Sequence, residues 1–196
     1  AIATCTSLGN LKVLNLGSNQ IGDTGATALA ESPNLSNLRT IGLGFNQVGG
    51  FGALHLVKSS LLQNLEFLDL EQNQIGKTLL TNFPDGAANL SLISINLRHN
   101  AITDDVLKDW IQAGAFLPLR HLNLGWNKIG NSGAAALANS STISKLMQLI
   151  LDSNYIGDSG ALTIARSKYL GQLEDLYLFD NDFHRKTEEV LTALWI

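Results

Sequence analysis

The chain has 196 residues, a formal net charge of −4 and no block of like charge, with 13 Lys and Arg against 17 Asp and Glu. That balance argues against nucleic acid as the main partner, because neutralising phosphates needs a concentrated basic face. No apolar run approaches the ~18 residues of a membrane span. The single cysteine, Cys5, excludes an internal disulfide and favours a reducing compartment, although an array without disulfides is also compatible with secretion.

The first clear element is Leu14 to Gly25, "LNLGSNQIGDTG": a strand-like run, a turn with glycines at 17, 22 and 25, then the small-residue helix pattern "ATALA". Strand, glycine turn and helix are the setting of a phosphate-binding loop, but that loop needs a lysine and then a hydroxyl after its second glycine. Here Asp23-Thr24 follows, placing a negative charge where a cation belongs. Gly76-Lys77-Thr78 lacks the first glycine, which is Glu71, and Gly130 is followed by Asn131-Ser132. No stretch completes the loop.

A period explains these fragments. Asparagine recurs at 19, 46, 73, 100, 127, 154 and 181, always 27 residues after the last. Leucine stands eight and three residues earlier in each copy, leucine or isoleucine five earlier, and a large apolar residue two later. A fixed period of this size predicts a stacked array. In each copy L-x-L reads as a strand with its leucines turned inward. The asparagine ends the strand, and its amide is expected to donate and accept along the stack. Asp23, Asp104, Asn131 and Asp158 are expected to cap the helices that start there. Gly25, Gly52, Gly133 and Gly160 are expected to keep those helices thin. Stacked strands need about 4.8 Å per step and packed helices roughly 8–10 Å, so the array must curve, with strands inside and helices outside.

The pattern L-x-x-L-x-L-x-x-N-x-I resembles the leucine-rich repeat over essentially the whole chain. The following "IGDTGATALAES" and "IGDSGALTIARS" look like its ribonuclease-inhibitor-like subfamily. The expected fold is a right-handed α/β horseshoe solenoid, one domain over 1–196, with repeats starting near 11, 38, 65, 92, 119, 146 and 173. Residues 1–10 align with Ala28 to Asn37 at the same offset, so the chain is expected to begin within the helix of a preceding repeat and to be a piece of a longer protein. Two middle copies depart from the pattern. Pro84 interrupts the third helix segment, and Leu107, Trp110 and Ile111 make the fourth bulkier, filling space beside it. The last copy is more polar, which suits either a terminal repeat exposing one side or ordinary drift in one copy, and an uncapped end makes end-to-end self-association a further expectation.

Chemistry is sparse. His55, His99, His121 and His184 do not converge, no catalytic triad stands out, and no cofactor or metal is expected. Cys5 shares a column with Ser32 and Ser59 and reads as structural. The columns that flank the buried leucines are more informative, because they change from copy to copy while the frame does not. Phe45, Phe67, Trp126, Tyr177 and Phe179, interspersed with Asp69, Glu71, Arg98, His99, His121 and Asp152, form the mixture enriched at protein interfaces. A protein partner on the concave face, with Trp126 and Phe67 as anchors, is therefore expected. The resemblance implies a non-enzymatic binding module, located in a cytoplasm, or in a host cytoplasm for a bacterial effector. It also leaves open a GTPase-activating role with Arg98 as the charge-stabilising group, and a purely structural spacer.

Overall fold

The computed structural model describes residues 2–77, 91–116 and 119–194. Seven strands of three residues run through it: β1 Val13–Asn15, β2 Thr40–Gly42, β3 Phe67–Asp69, β4 Ser94–Asn96, β5 His121–Asn123, β6 Gln148–Ile150 and β7 Asp175–Tyr177. They form one parallel sheet in sequence order, and every pair joins residues 27 apart, from Val13↔Thr40 to Gln148↔Asp175. The central residue of β1 to β6 (Leu14, Ile41, Leu68, Ile95, Leu122, Leu149) is buried, while its neighbours face outward or are only half-buried.

Helices form the second layer: α1 Asp23–Ala30, α2 Gly50–Val57, α3 Asp104–Gln112, α4 Asn131–Ala138, α5 Asp158–Ala165 and α6 Arg185–Leu194. The leucine core lies between the layers, so the molecule is an α/β repeat solenoid. In the third copy a 3-10 turn, Ile75–Lys77, stands where a helix would begin, and Pro84 lies outside the described residues. In the fourth, Leu107 and Trp110 are buried, and the indole stacks at 6.0 Å on Phe116. The bulkier helix is interior packing, as its sequence suggests.

The asparagines hold the copies together on the strand side. Asn127 Nδ2 donates to the carbonyls of Leu97, Leu124 and Gly125, and its Oδ1 accepts from the amides of Asn100 and Ile102. Asn46, Asn73, Asn100, Asn154 and Asn181 repeat the theme, each reaching a carbonyl 30 residues back. Buried donors and acceptors left open by the strand-to-helix turn are thereby satisfied.

The helix side corrects the sequence expectation about caps. Asp23 does not cap α1; its carboxylate crosses to the next copy, where Oδ1 accepts from Gly49 N at 2.7 Å and Gly52 N at 3.0 Å, at the start of α2. Asp104 does the same for Gly130 at the head of α4, and Asn131 for Gly157 and Gly160 of α5. Each acidic or amide side chain therefore accepts from free amides at the helix end beside its own. The glycine columns follow from this arrangement. Gly49 has an extended backbone open to any residue, but a Cβ there would lie 2.8 Å from Asp23 Oδ2. At Gly133 it would lie 2.5 Å from Asp104 Oδ1, and at Gly160 2.6 Å from Asn131 Oδ1. The carboxylate at position 23, which breaks the phosphate-loop motif of its own copy, is directed to the terminus of the next helix, α2.

The last joint is a variant. Asp158 Oδ1 accepts from the Thr187 hydroxyl at 2.6 Å and the His184 amide at 2.8 Å, and Oδ2 lies 2.7 Å from His184 Nδ1. These contacts, the Thr187 hydroxyl first, then the amide and ring of His184, lower the Asp158 pKa to about 2. At the other end, Ile2–Thr4 is a 3-10 turn rather than an α-helix. It still behaves as the end of a copy: Ser32 Oγ donates to Ala3 O just as Ser59 Oγ donates to Ala30 O. Cys5 precedes a 3-10 turn at the place Ser32 takes in the next copy, with its thiol 3.1 Å from Ser7 Oγ, a contact that lowers its pKa.

Candidate partner-binding surface beside the strands

The surface is built from four positions per copy: the two residues flanking the buried strand centre, and the two just before the ladder asparagine. One flanking position is partly structural. Asn15, Asp69, Asn96 and Asn123 each turn a side-chain oxygen back to the amide two residues on, at 3.0–3.1 Å. Such local bonds favour Asn and Asp at strand ends. Asp69 is thus first a turn-former, which its expected role as a contact residue overlooked.

The position just before the asparagine has a backbone the sequence did not announce. Ser18, Phe45, Gln72, His99, Trp126, Ser153 and Asp180 all lie in the left-handed region, with φ between 50° and 58°. The conformation is imposed by the stack. Each amide from Ser18 to Ser153 donates to a carbonyl of the following copy, as Phe45 N does to Glu71 O and Trp126 N to Asp152 O. Glycine is the low-cost residue for such a backbone, and other residues cost roughly 1–2 kcal/mol. None of the seven positions is glycine, and two carry large rings half open to solvent, Phe45 at 50% and Trp126 at 52% exposure.

Four of the expected site residues meet at one place. Arg98 Nη1 lies 3.0 and 3.1 Å from the two oxygens of Asp152, spanning two copies. Its guanidinium carbon sits 5.5 Å from the Trp126 ring centre, a cation–π contact, and His99 meets the same indole edge-on at 6.0 Å. The pair crosses over Gly125, where a Cβ would lie 2.5 Å from both Arg98 Nη1 and Asp152 Oδ1. Asp152 is buried, so it is a fixed counter-charge under Arg98 rather than a contact residue. Arg98 is correspondingly committed within the chain and is not a free arm for another protein's reaction centre.

The other expected residues stay apart from this cluster. Phe67 is exposed on β3, with Glu71 accepting from Asn96 Nδ2 one copy on. His121 is half-buried on β5. Tyr177 and Phe179 are exposed on the last copy, where they line a cavity of about 710 Å³ with Asp175, Asp180, Phe183 and Leu191. Reading the sequence missed Gly125, Lys128 and Tyr155. Tyr155, 59% exposed, was legible as the lone aromatic on a row that begins Gln20, Gln47, Gln74. Among the described residues no group of three or more His, Cys, Asp or Glu side chains is placed to hold a metal ion, and no helix is long and apolar enough to cross a membrane.

A family model described as Leucine Rich repeat matches residues 10–30, 88–105, 118–138 and 142–165, and a second of the same description matches 64–86. Together they cover more than half of the chain, on segments that carry β1 and β3 to β6 with their asparagines. No curated protein matches it. The chain belongs to the leucine-rich repeat proteins, which in general are non-enzymatic modules that mediate protein–protein interaction.

Proposed function

We propose that this chain binds a protein partner along the strand face and the turn row beside it, with Trp126 and Phe67 as anchors. The observation that carries the reading is Trp126: a half-exposed indole, kept on a backbone that glycine would occupy at lower cost, and braced by Arg98 and His99. Strained backbone clusters at functional sites, and Trp is among the residue types enriched at interface hot spots. Tyr177, Phe179 and Phe45 extend the same surface. The surface carries the carboxylates Asp69 and Glu71 toward one end and Asp175 and Asp180 toward the other, whereas Arg98 is already paired with Asp152. The matching partner surface presents cations to the strands. Organisation within the ribonuclease-inhibitor-like subfamily agrees with the helical outer layer.

The test is direct. A partner recovered by cross-linking and pull-down from cell lysate is titrated against the wild type and the Trp126→Ala/Phe67→Ala double variant. Affinity is expected to fall at least about tenfold while the melting temperature holds, because both side chains are exposed. Unchanged affinity rejects the surface.

A further inference from the structure

The helix-ward edge of this surface holds a notch that the strand-face reading does not use. It measures about 400 Å³ and sits where the chain leaves the strands, among His99, Ala101, Trp126, Lys128, Ser153 and Tyr155. Its shape comes from one substitution on a row. Two residues beyond each left-handed position stand Gln20, Gln47, Gln74, Ala101, Lys128, Tyr155 and Asp182, and Ala101 is the only small member. Ala101 itself has a positive φ of 55°, which no other member of its row shows. The gap it leaves is walled by two half-open rings, Trp126 at 52% and Tyr155 at 59% exposure.

Charge along this edge changes with position. The first three copies are uncharged there, with Ser18 and Gln20, Phe45 and Gln47, Gln72 and Gln74. The notch carries one ammonium, Lys128, which is exposed and makes no ion pair among the described residues. No carboxylate lines the notch. The next copy then turns acidic, with Asp180 and Asp182 on the two rows. In a chain of net charge −4, this is a site where a neighbouring carboxylate is attracted rather than repelled.

We propose that the notch receives a large apolar side chain of the partner protein, flanked in the partner's sequence by an aspartate or glutamate that pairs with Lys128. The proposal rests on the reading of this surface as a protein-binding one, and it names the chemistry of one of the partner's contacts. Two rings gripping an apolar side chain supply the affinity. The lysine, with acids two copies further on, fixes the direction in which the partner lies, since a reversed segment would set its carboxylate against Asp180 and Asp182.

Selection of random peptides on the immobilised chain tests this, using the wild type, Trp126→Ala, Lys128→Glu and, as a strand-face control, Phe67→Ala. All three substituted side chains are exposed, and unchanged circular dichroism and melting confirm folding. The wild type is expected to enrich peptides with a large apolar residue within two or three positions of Asp or Glu. Trp126→Ala loses that enrichment, Lys128→Glu exchanges the acidic residue for Lys or Arg, and Phe67→Ala retains it. A selected acidic peptide is expected to bind Lys128→Glu at least about tenfold more weakly. A basic or uncharged consensus, enrichment that survives Trp126→Ala, or no enrichment at all overturns the notch. Peptides that depend on Phe67 and not on Trp126 overturn the notch while leaving the strand-face reading standing.

Discussion

The joints between copies are not built alike. From α3 to α6 every step has a side chain that crosses to the next helix: Asp104 to Gly130, Asn131 to Gly157 and Gly160, Asp158 to His184 and Thr187. The same stretch is strapped on the strand side by Arg98 and Asp152. Between α2 and α3 the crossing column holds Gly50 and then Lys77, neither of which supplies an acceptor of that kind. There α3, unlike α1, α2, α4 and α5, has an N-cap side chain that accepts, with Thr103 Oγ1 taking the bond from Val106 N. The asparagine ladder, like the parallel sheet, runs through both regions. Stacking is thus specified once for the whole array on the strand side and joint by joint on the helix side.

The ladder should dominate stability, so its loss gives the largest effect. Asn127→Ala removes five hydrogen bonds and strands buried donors and acceptors in two copies. We expect a loss of about 4 kcal/mol in urea unfolding. Asn19→Ala is the contrast, because Asn19 is exposed and bonds only Leu16 and Gly17; it should cost below about 1 kcal/mol. Equal costs would mean that the ladder is not what joins the copies.

Next comes the strap. Gly125→Ala inserts a methyl between Arg98 and Asp152 and leaves the buried carboxylate without its partner. A loss of about 2–3 kcal/mol is expected, together with a changed Trp126 fluorescence spectrum; an unmoved spectrum would separate the indole from the ion pair. The crossing caps should be smaller. Asp104→Ala is expected to cost about 1–2 kcal/mol, and Thr103→Ala about 1 kcal/mol or less. Hydrogen exchange should place the first effect in α4 and the second in α3. Exchange confined to α3 in Asp104→Ala would return Asp104 to the role of capping its own helix.

The mildest test is pH. The Asp158 pKa is about 2 in the folded chain, below the ~3.9 of an unfolded aspartate. Its contribution is therefore complete above about pH 4 and disappears as pH falls through about 2. Exchange at the start of α6 should rise over that window while α4, capped by Asp104, is the comparison. Asp158→Asn should flatten the dependence, and an unchanged profile would show that another group governs it.

Much of this architecture could be read before any coordinates. The 27-residue register, the inward leucines and the ladder asparagines follow from spacing alone, because each copy must present the same atoms at the same height. The large aromatics of the variable columns, Phe45, Phe67, Trp126 and Tyr177, were also visible there as candidates. What spacing left open was the direction of each bond. Asp23 has the same sequence position whether it caps its own helix or the next, and only the approach of α2 at Gly49 and Gly52 decides between them. Arg98 and Asp152 looked like separate exposed charges because they lie 54 residues apart, and the gap over Gly125 makes them one partly buried strap. The left-handed backbone at Phe45 and Trp126 was equally silent, because it is imposed by carbonyls of the following copy.

The sequence by itself determined the repeat, its register and the side on which variable residues collect, because hydrophobic period and asparagine spacing act within one copy. Tertiary structure alone decided which of those residues are spent on holding copies together and which stay open to a partner. That division depends on distances of about 3 Å between copies, which no single repeat contains.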